Sequence, residues 1–171
     1  MKIEPNNGGN PTFNLEMTEA LRASFRPEKI TTLFVGESAP ASGQFFYDGR
    51  NSMSVYMAAA LSDIHDDNFL NRFKALGWYL DDLVLYPINR MERAERKAAW
   101  IASVPNLTKR IAKYQPQAIV SLLKGMKSVV ENAAAASGCQ APVYGVAFPG
   151  MGNQTRFCAE MAELLPRLPR T

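Results

Sequence analysis

The chain of 171 residues has only two cysteines and one histidine, and its charge is nearly balanced, with 19 lysines and arginines against 16 acidic residues. Cys139 and Cys158 form no C-x-x-C pair, so the sequence predicts no disulfide framework and no zinc or iron–sulfur site. Two isolated thiols are typical of a reducing cytosol. The net charge of +3 permits binding to a polyanion without requiring it.

Long apolar runs are also missing. No stretch approaches about 18 uninterrupted apolar residues, and residues 1–11 contain no apolar core of a secretory signal. We therefore expect a cytoplasmic protein with no membrane span. We expect residues 1–11, which are rich in Pro, Gly and Asn, to be flexible, and residues 12–171 to form a single domain.

Several catalytic motifs are absent as well. There is no G-x-S-x-G nucleophile elbow and no P-loop. The single histidine, His65, lies beside Asp63, Asp66 and Asp67, and we interpret this segment as an exposed acidic turn rather than a metal site. The sequence predicts neither a metal nor an organic cofactor.

Strand-length apolar runs alternate with helical patterns along the chain. The predicted strands are residues 31–37, 82–86, 118–123 and 143–148. The predicted helices are about residues 15–25, 52–64 with Ser52 as N-cap, 66–76, 91–114 with a break at Pro105, 125–136 and 154–165. This alternation predicts an α/β fold, a three-layer α/β/α sandwich with a central four-stranded parallel sheet.

The most informative segment is Thr31–Tyr47. Its apolar run ends at Glu37, then come small residues, then Phe45 and Phe46. In parallel sheets, ligands bind at the carboxyl ends of the strands, and small residues allow a ligand close to the backbone. Two further loops, 86–90 and 148–154, are expected at the same edge. A carboxylate, a tight loop and an aromatic ring suit a planar heterocycle attached to a sugar.

These segments resemble motifs of the uracil-DNA glycosylase superfamily. Residues 36–40, Gly-Glu-Ser-Ala-Pro, resemble the family's strand-end motif in its Gly-Glu-x-Pro variant, and residues 43–51 resemble the aromatic element that follows it. Residues 79–84, with Pro87 and Asn89, resemble the family's second strand. Residues 147–153 fall where the leaving-base and DNA-intercalation motif lies. The resemblance extends in order over residues 30–165.

The resemblance implies a DNA glycosylase-like protein that hydrolyses the N-glycosidic bond of uracil or another deaminated base, with DNA, single-stranded or mispaired, as its partner. It implies catalytic positions at Glu37 and Ser38. Its implied substrate-binding residues are Gly36, Pro40, Phe46, Asn51 and Asn89, and its implied DNA-binding loop contains Pro149, Gly150, Met151 and Asn153. Phe46 would stack on the extruded base and Met151 would fill the gap in the duplex.

Two departures from the family pattern leave alternatives open. One extra residue separates Gly36 from Pro40, and Phe148 stands where the best-known branch has a histidine. The alternatives are a non-catalytic base- or nucleic-acid-binding member of the same fold, and an N-glycosidic enzyme acting on free nucleosides or nucleotides. The oligomeric state stays open.

Individual residues also have structural interpretations. Glu37 could cap a helix or pair with Arg50, and Asn51, Asn89 and Asn153 could be helix N-caps. A basic stretch between positions 90 and 113 is either a solvated helix face or a track for phosphates; its members are Arg90, Arg93, Arg96, Lys97, Lys109, Arg110 and Lys113.

Overall fold

The computed structural model describes residues 12–61 and 68–171. The expectations for residues 1–11 and for His65 therefore lie outside the described residues. In chain order the elements are α1 (Leu15–Ser24), β1 (Thr32–Gly36), α2 (Ser52–Ala60), α3 (Phe69–Ala75), β2 (Trp78–Asp82), α4 (Arg93–Tyr114), β3 (Ala118–Ser121), α5 (Lys127–Ala136), β4 (Val143–Gly145) and α6 (Gln154–Leu164). Short 3-10 turns cover Phe46–Asp48, Lys124–Met126 and Leu165–Arg167.

The four strands form one parallel sheet in the order β2-β1-β3-β4. The predicted α/β fold with a four-stranded parallel sheet is confirmed. Strands β1, β2 and β3 are buried along their whole length, as expected when helices cover both faces. Because β1 has β2 on one side and β3 on the other, the strand order reverses at β1, and the crevice for a ligand is expected beside its carboxyl end.

The helices pack in two groups, α4 against α5 and α2 against α6. The connection from β1 to β2 and the connection from β2 back past β1 to β3 run in opposite directions across the sheet. Right-handed crossovers that run in opposite directions place their helices on opposite faces of the sheet. This grouping is consistent with three layers. None of the helices in residues 12–61 and 68–171 is both long enough and apolar enough to cross a membrane.

The second strand lies earlier than predicted. The prediction of residues 82–86 was wrong, because β2 is Trp78–Asp82. Leu83 and Val84 are buried after the strand ends, and their N–H groups donate to the carbonyl oxygens of Gly36 and Glu37 at 2.8 and 2.9 Å. A strand with two buried carboxylates at its end is tolerated because arginines from α1 and α4 pair with them.

The predicted break at Pro105 was also wrong. Helix α4 runs without interruption from Arg93 to Tyr114 with Pro105 inside it. A proline in a helix interior removes one backbone hydrogen bond and costs about 3 kcal/mol. Trp100 before the proline and Leu107 and Ile111 after it are all buried, so packing on both sides of Pro105 holds the two halves in one helix.

Candidate functional site

A cavity of about 340 Å³ lies at the carboxyl ends of β1 and β2. All seven residues that the sequence predicted as catalytic or substrate-binding line it: Gly36, Glu37, Ser38, Pro40, Phe46, Asn51 and Asn89. Phe148, from the loop after β4, completes the lining from the third predicted loop. The predicted loop residues Pro149, Gly150, Met151 and Asn153 lie beside this lining and not in it.

Glu37 directly follows β1 and is held by helix α4. Arg96 donates to its carboxylate from Nε at 3.0 Å and from Nη2 at 2.7 and 2.6 Å, and the indole N–H of Trp100 donates to Oε1 at 2.9 Å. Its ion-pair partner is therefore Arg96, and the expected pairing with Arg50 is not the one that forms. A bidentate arginine fixes both the position and the orientation of a carboxylate.

The loops after β1 and β2 are tied to each other at the mouth of the cavity. The backbone N–H of Ala41 donates to Oδ1 of Asn89 at 3.2 Å, and the N–H of Ile88 lies 3.4 Å from the Ser38 hydroxyl oxygen. Asn89 therefore bridges two loops, and the expected role as a helix cap does not apply because α4 begins at Arg93 with Glu92 as its N-cap. Its amide N–H groups are left for a ligand.

Asn51 is the N-cap of α2, which was one of the two interpretations of this residue. Its Oδ1 accepts a hydrogen bond from the N–H of Ser54 at 2.9 Å. The predicted cap, Ser52, is instead the first residue of the helix. The amide N–H₂ group of Asn51 donates to no acceptor among residues 12–61 and 68–171, so it can donate to a bound molecule.

Phe45 and Phe46 form an aromatic wall of the cavity. Phe46 is only 3 % exposed and packs edge-to-face on Tyr47 and Phe69, with Phe73 behind it. Tyr47 points away from the cavity, and its hydroxyl donates to the carbonyl of Leu80 and accepts from the N–H of the same residue, at 3.0 and 2.8 Å. Since β2 is an edge strand, this hydroxyl satisfies the Leu80 N–H, and it shares the Leu80 carbonyl with Nη1 of Arg22, which donates to it at 3.3 Å.

Asp82 is a cavity residue that the sequence did not single out. It ends β2, is buried, and its Oδ2 accepts a hydrogen bond from Nη2 of Arg22 at 2.7 Å. Burial raises the pKa of the Asp82 carboxyl, while Arg22 acts against that rise. The sequence signal for this residue was the pair of aspartates in Tyr-Leu-Asp-Asp after Gly77. Because the second strand was predicted at residues 82–86, Asp82 was expected at its start and not at its carboxyl end.

The neighbouring aspartate, Asp81, faces the opposite side of the sheet. Its Oδ2 pairs with Nη1 of Arg110 at 2.6 Å and accepts from the hydroxyl of Tyr114 at 3.3 Å. Consecutive side chains of a strand alternate between faces, so the two carboxylates have different nearest cations, although Nη1 of Arg22 also lies 3.8 Å from Oδ1 of Asp81. Arg96 and Arg110 are engaged in these ion pairs, whereas Arg90, Arg93 and Lys97 of the predicted basic stretch are exposed and lie within six positions of Arg96 along the chain.

We call the loop after β4, residues 148–153, the outer rim; it reaches the cavity through Phe148. Phe148 is 40 % exposed although it lines the cavity, and Met151 is 97 % exposed. Met151 has a positive φ of 53°, which is unfavourable for a residue with a side chain. A Cβ on Gly150 would lie 2.5 Å from the ring of Phe148, so a larger residue there would displace that ring.

Asn153 is the N-cap residue of α6, which was its structural interpretation. Its side chain makes no cap hydrogen bond, and its amide donates to the carbonyl of Gly150 at 3.3 Å. The rim is anchored at its start by Glu160, which accepts from the N–H of Ala147 at 2.6 Å.

Comparison with known proteins adds no identity, since neither the family models nor the curated proteins contain a match to this chain.

Proposed function

We propose that the cavity receives an extruded nucleobase and that the protein hydrolyses the N-glycosidic bond of that base in DNA, as a DNA glycosylase-like protein with a uracil-DNA glycosylase-like fold. The supporting observation is that seven predicted residues, from the loops after β1 and β2, line one cavity at the carboxyl edge of the sheet. The expected substrate is uracil or another deaminated base. The cavity volume of about 340 Å³ lies in the range of small-molecule sites.

The chemistry of the bond defines what each group would do. Cleavage develops positive charge on the sugar and negative charge on the departing base. The Glu37 carboxylate, fixed by Arg96 and Trp100, would stabilise the sugar cation or orient a water molecule. The amide N–H groups of Asn51 and Asn89 would stabilise the leaving base, and such fixed donors are most effective where water is excluded.

The surroundings of the cavity suit a flipped base in a DNA strand. The Phe46 ring in the wall would stack on the base, as enzymes that extrude bases require. Met151 at the tip of the outer rim would occupy the space that the base leaves. The exposed cations Arg90, Arg93 and Lys97 would contact phosphates, so affinity for DNA should fall steeply as salt is added.

A base-excision assay tests the proposal. Oligonucleotides that carry uracil, hypoxanthine or xanthine, single-stranded and mispaired, are incubated with the wild type, with Glu37→Gln and with the surface control Glu131→Gln, and abasic sites are then cleaved. We expect product from the wild type and the control, and a loss of about 100-fold or more with Glu37→Gln. A folded wild-type protein that yields no product from any substrate contradicts the proposal.

A second variant separates chemistry from anchoring. Arg96→Gln removes the ion pair but leaves the charge of Glu37 in place. If Glu37 acts on the substrate, Arg96→Gln should retain much more activity than Glu37→Gln. Equal losses in the two variants would mean that the ion pair only positions α4.

One observation favours a second candidate, the non-catalytic binding module. The Glu37 carboxylate already accepts four hydrogen bonds from Arg96 and Trp100. A module of this kind would bind bases or DNA without forming an abasic product, and Glu37→Gln would leave its binding unchanged. Cleavage of free nucleosides with no retention of DNA would favour the third alternative, the enzyme for free nucleosides or nucleotides.

A further inference from the structure

Two aromatic side chains are exposed among residues 12–61 and 68–171, and both follow strands at the carboxyl edge of the sheet. Tyr86, in the loop after β2, is 46 % exposed, and Phe148, in the loop after β4, is 40 % exposed. The other aromatic residues of these ranges are buried or half-buried. Because β2 and β4 are the two edge strands, the two loops leave the sheet on opposite sides of β1 and β3. The exposed aromatic surface is thus confined to the edge that carries the cavity.

The Tyr86 side chain has no partner within the described part of the chain. Among residues 12–61 and 68–171, no ring stacks on it, no arginine lies over it, and its hydroxyl makes no hydrogen bond. Tyr47, Tyr79 and Tyr114 all contact other rings. Tyr86 therefore keeps a flat apolar face that a ligand can cover.

The backbone around Tyr86 is fixed beside the cavity. Two residues before it, the N–H of Val84 donates to the carbonyl of Glu37 at 2.9 Å, and three residues after it Asn89 lines the cavity. Pro87 restricts the backbone of the preceding residue to extended conformations. The ring is thus carried by a rigid loop, so little ordering is needed when a ligand binds it.

The charge of the chain that follows Tyr86 suits a polyanion. It carries three exposed cations, Arg90, Arg93 and Lys97. The acidic residues among them, Glu92 and Glu95, form the capping box of α4 and so accept hydrogen bonds from its backbone. An aromatic face for bases, with cations for phosphates, is the combination by which proteins bind a single nucleic-acid strand.

We propose that Tyr86 forms a stacking site for an unpaired base close to the one in the cavity, so that a single DNA strand is held through two of its bases. The proposal rests on the proposed function, because it takes the cavity ligand to be a base in DNA. A base in a duplex would first have to give up its own stacking and pairing. Every base has a flat face, so the site should accept any of the bases.

Binding of a short single-stranded oligothymidine, followed by fluorescence anisotropy, tests the proposal. Its central nucleotide carries uracil, hypoxanthine or xanthine on a 2′-fluoro sugar, which resists cleavage because fluorine disfavours positive charge on the sugar. In a matched series, an abasic spacer replaces one nucleotide near the central one, at each position in turn. With the wild type we expect the spacer to weaken binding about fivefold or more at one position, as for the loss of one stacked base.

Variants of Tyr86 assign that loss to its ring. Tyr86→Ala should weaken binding of the complete oligonucleotide by the same factor and remove the effect of the spacer, because both changes delete one contact. Tyr86→Phe keeps the ring and should bind as the wild type does. The control Ile101→Ala removes another exposed apolar side chain, on α4, and should leave binding unchanged. Both positions are exposed, so we expect these variants to fold.

A duplex supplies the contrast to the single strand. When the same oligonucleotide is annealed to its complement, Tyr86→Ala should lose little affinity, since the neighbouring bases are paired and stacked. An equal loss in the duplex and the single strand overturns the proposal. It is also overturned if Tyr86→Ala binds the single strand as tightly as the wild type, if Tyr86→Phe loses as much as Tyr86→Ala, or if the folded wild type binds none of the strands.

Failure of the stacking site is distinguishable from failure of the proposed function. Binding that depends on the Tyr86 ring and on the spacer position, with no abasic product in the base-excision assay, retains the stacking site and removes the glycosylase activity. An abasic product from a wild type whose affinity does not depend on the Tyr86 ring retains the activity and removes the stacking site.

Discussion

The inner wall and the outer rim of the cavity are held in different ways. The inner wall, formed by Phe45, Phe46 and Asp82, is buried. Asp82 is held by its ion pair with Arg22, and Phe46 by edge-to-face and tilted contacts with neighbouring rings. The outer rim, residues 148–153, has an exposed ring, an almost fully exposed Met151, and positive φ angles at Met151 and Gly152. The wall is therefore part of the core, whereas the rim contributes little to stability and is free to serve contact with a partner.

The largest contrast is expected between two phenylalanines that line the same cavity. Phe46→Ala should lower the free energy of unfolding by about 3–5 kcal/mol, because it leaves a cavity in the aromatic cluster. Phe148→Ala should change it by no more than about 0.5 kcal/mol, as for an exposed residue. Urea unfolding followed by circular dichroism measures both. Equal losses would erase the distinction between wall and rim.

Arg22→Met should be the next most damaging change. It leaves Asp82 buried without its cation, and breaking a buried ion pair from one side costs about 3 kcal/mol or more. The loss is expected at the lower end because Asp81 keeps its pair with Arg110. In the same unfolding assay, a variant as stable as the wild type would show that the wall does not depend on this ion pair.

Tyr47→Phe tests how the wall is attached to the edge strand. The substitution removes one hydroxyl and leaves a buried N–H and a buried carbonyl of Leu80 without that partner. We expect a loss of about 1–2 kcal/mol in the free energy of unfolding, since an unsatisfied buried backbone group is costly. Amide hydrogen exchange at Leu80 should accelerate with it, and unchanged protection there would contradict the assignment.

Met151→Gly should separate stability from function in the rim. The positive φ of Met151 is strained for a residue with a side chain, so glycine should stabilise the protein by about 1 kcal/mol. If the methionine contacts DNA as proposed, the affinity for an oligonucleotide should fall in the same variant. A loss of stability with unchanged affinity would show that the side chain is structural.

The smallest effect is the pH dependence of the stability contributed by Glu160, which anchors the start of the outer rim. Burial on its own would raise the pKa of the Glu160 carboxyl, but hydrogen bonds from Lys124, Ala147 and Arg156 together lower it. A lowered pKa stabilises the folded state above the ordinary value of 4.5, and this contribution is lost as the pH falls through the folded pKa. The stability difference between wild type and Glu160→Gln should therefore narrow in acid. A constant difference from pH 7 to acid would contradict this.

The sequence predicted the fold well where local patterns and packing agree. Four apolar runs separated by helical patterns indicated the parallel sheet, and the residues after β1 were correctly expected at one edge. The second strand was misplaced because the apolar run Leu83–Tyr86 looks more like a strand than Trp78–Asp82, which ends in two aspartates. Their partners, Arg110 and Arg22, are 29 and 60 residues away along the chain, and no local pattern reveals such pairing.

Side-chain partners in the site were equally hidden. Glu37 was predicted at the cavity, but its partner Arg96 lies 59 residues further along, within a stretch that also reads as a solvated helix face. The same applies to Pro105, where a local rule for helix ends was outweighed by burial on both sides of the proline. Position in the sheet was predictable from sequence, whereas the long-range ion pairs were not.

The pairing of Asp82 with Arg22 has a consequence for how this part of the molecule could change during evolution. A substitution at Asp82 alone leaves a buried guanidinium without its nearest anion. A change at this position therefore requires a second substitution in α1, and each single step passes through a less stable protein. Proteins that share this fold should vary these two positions together.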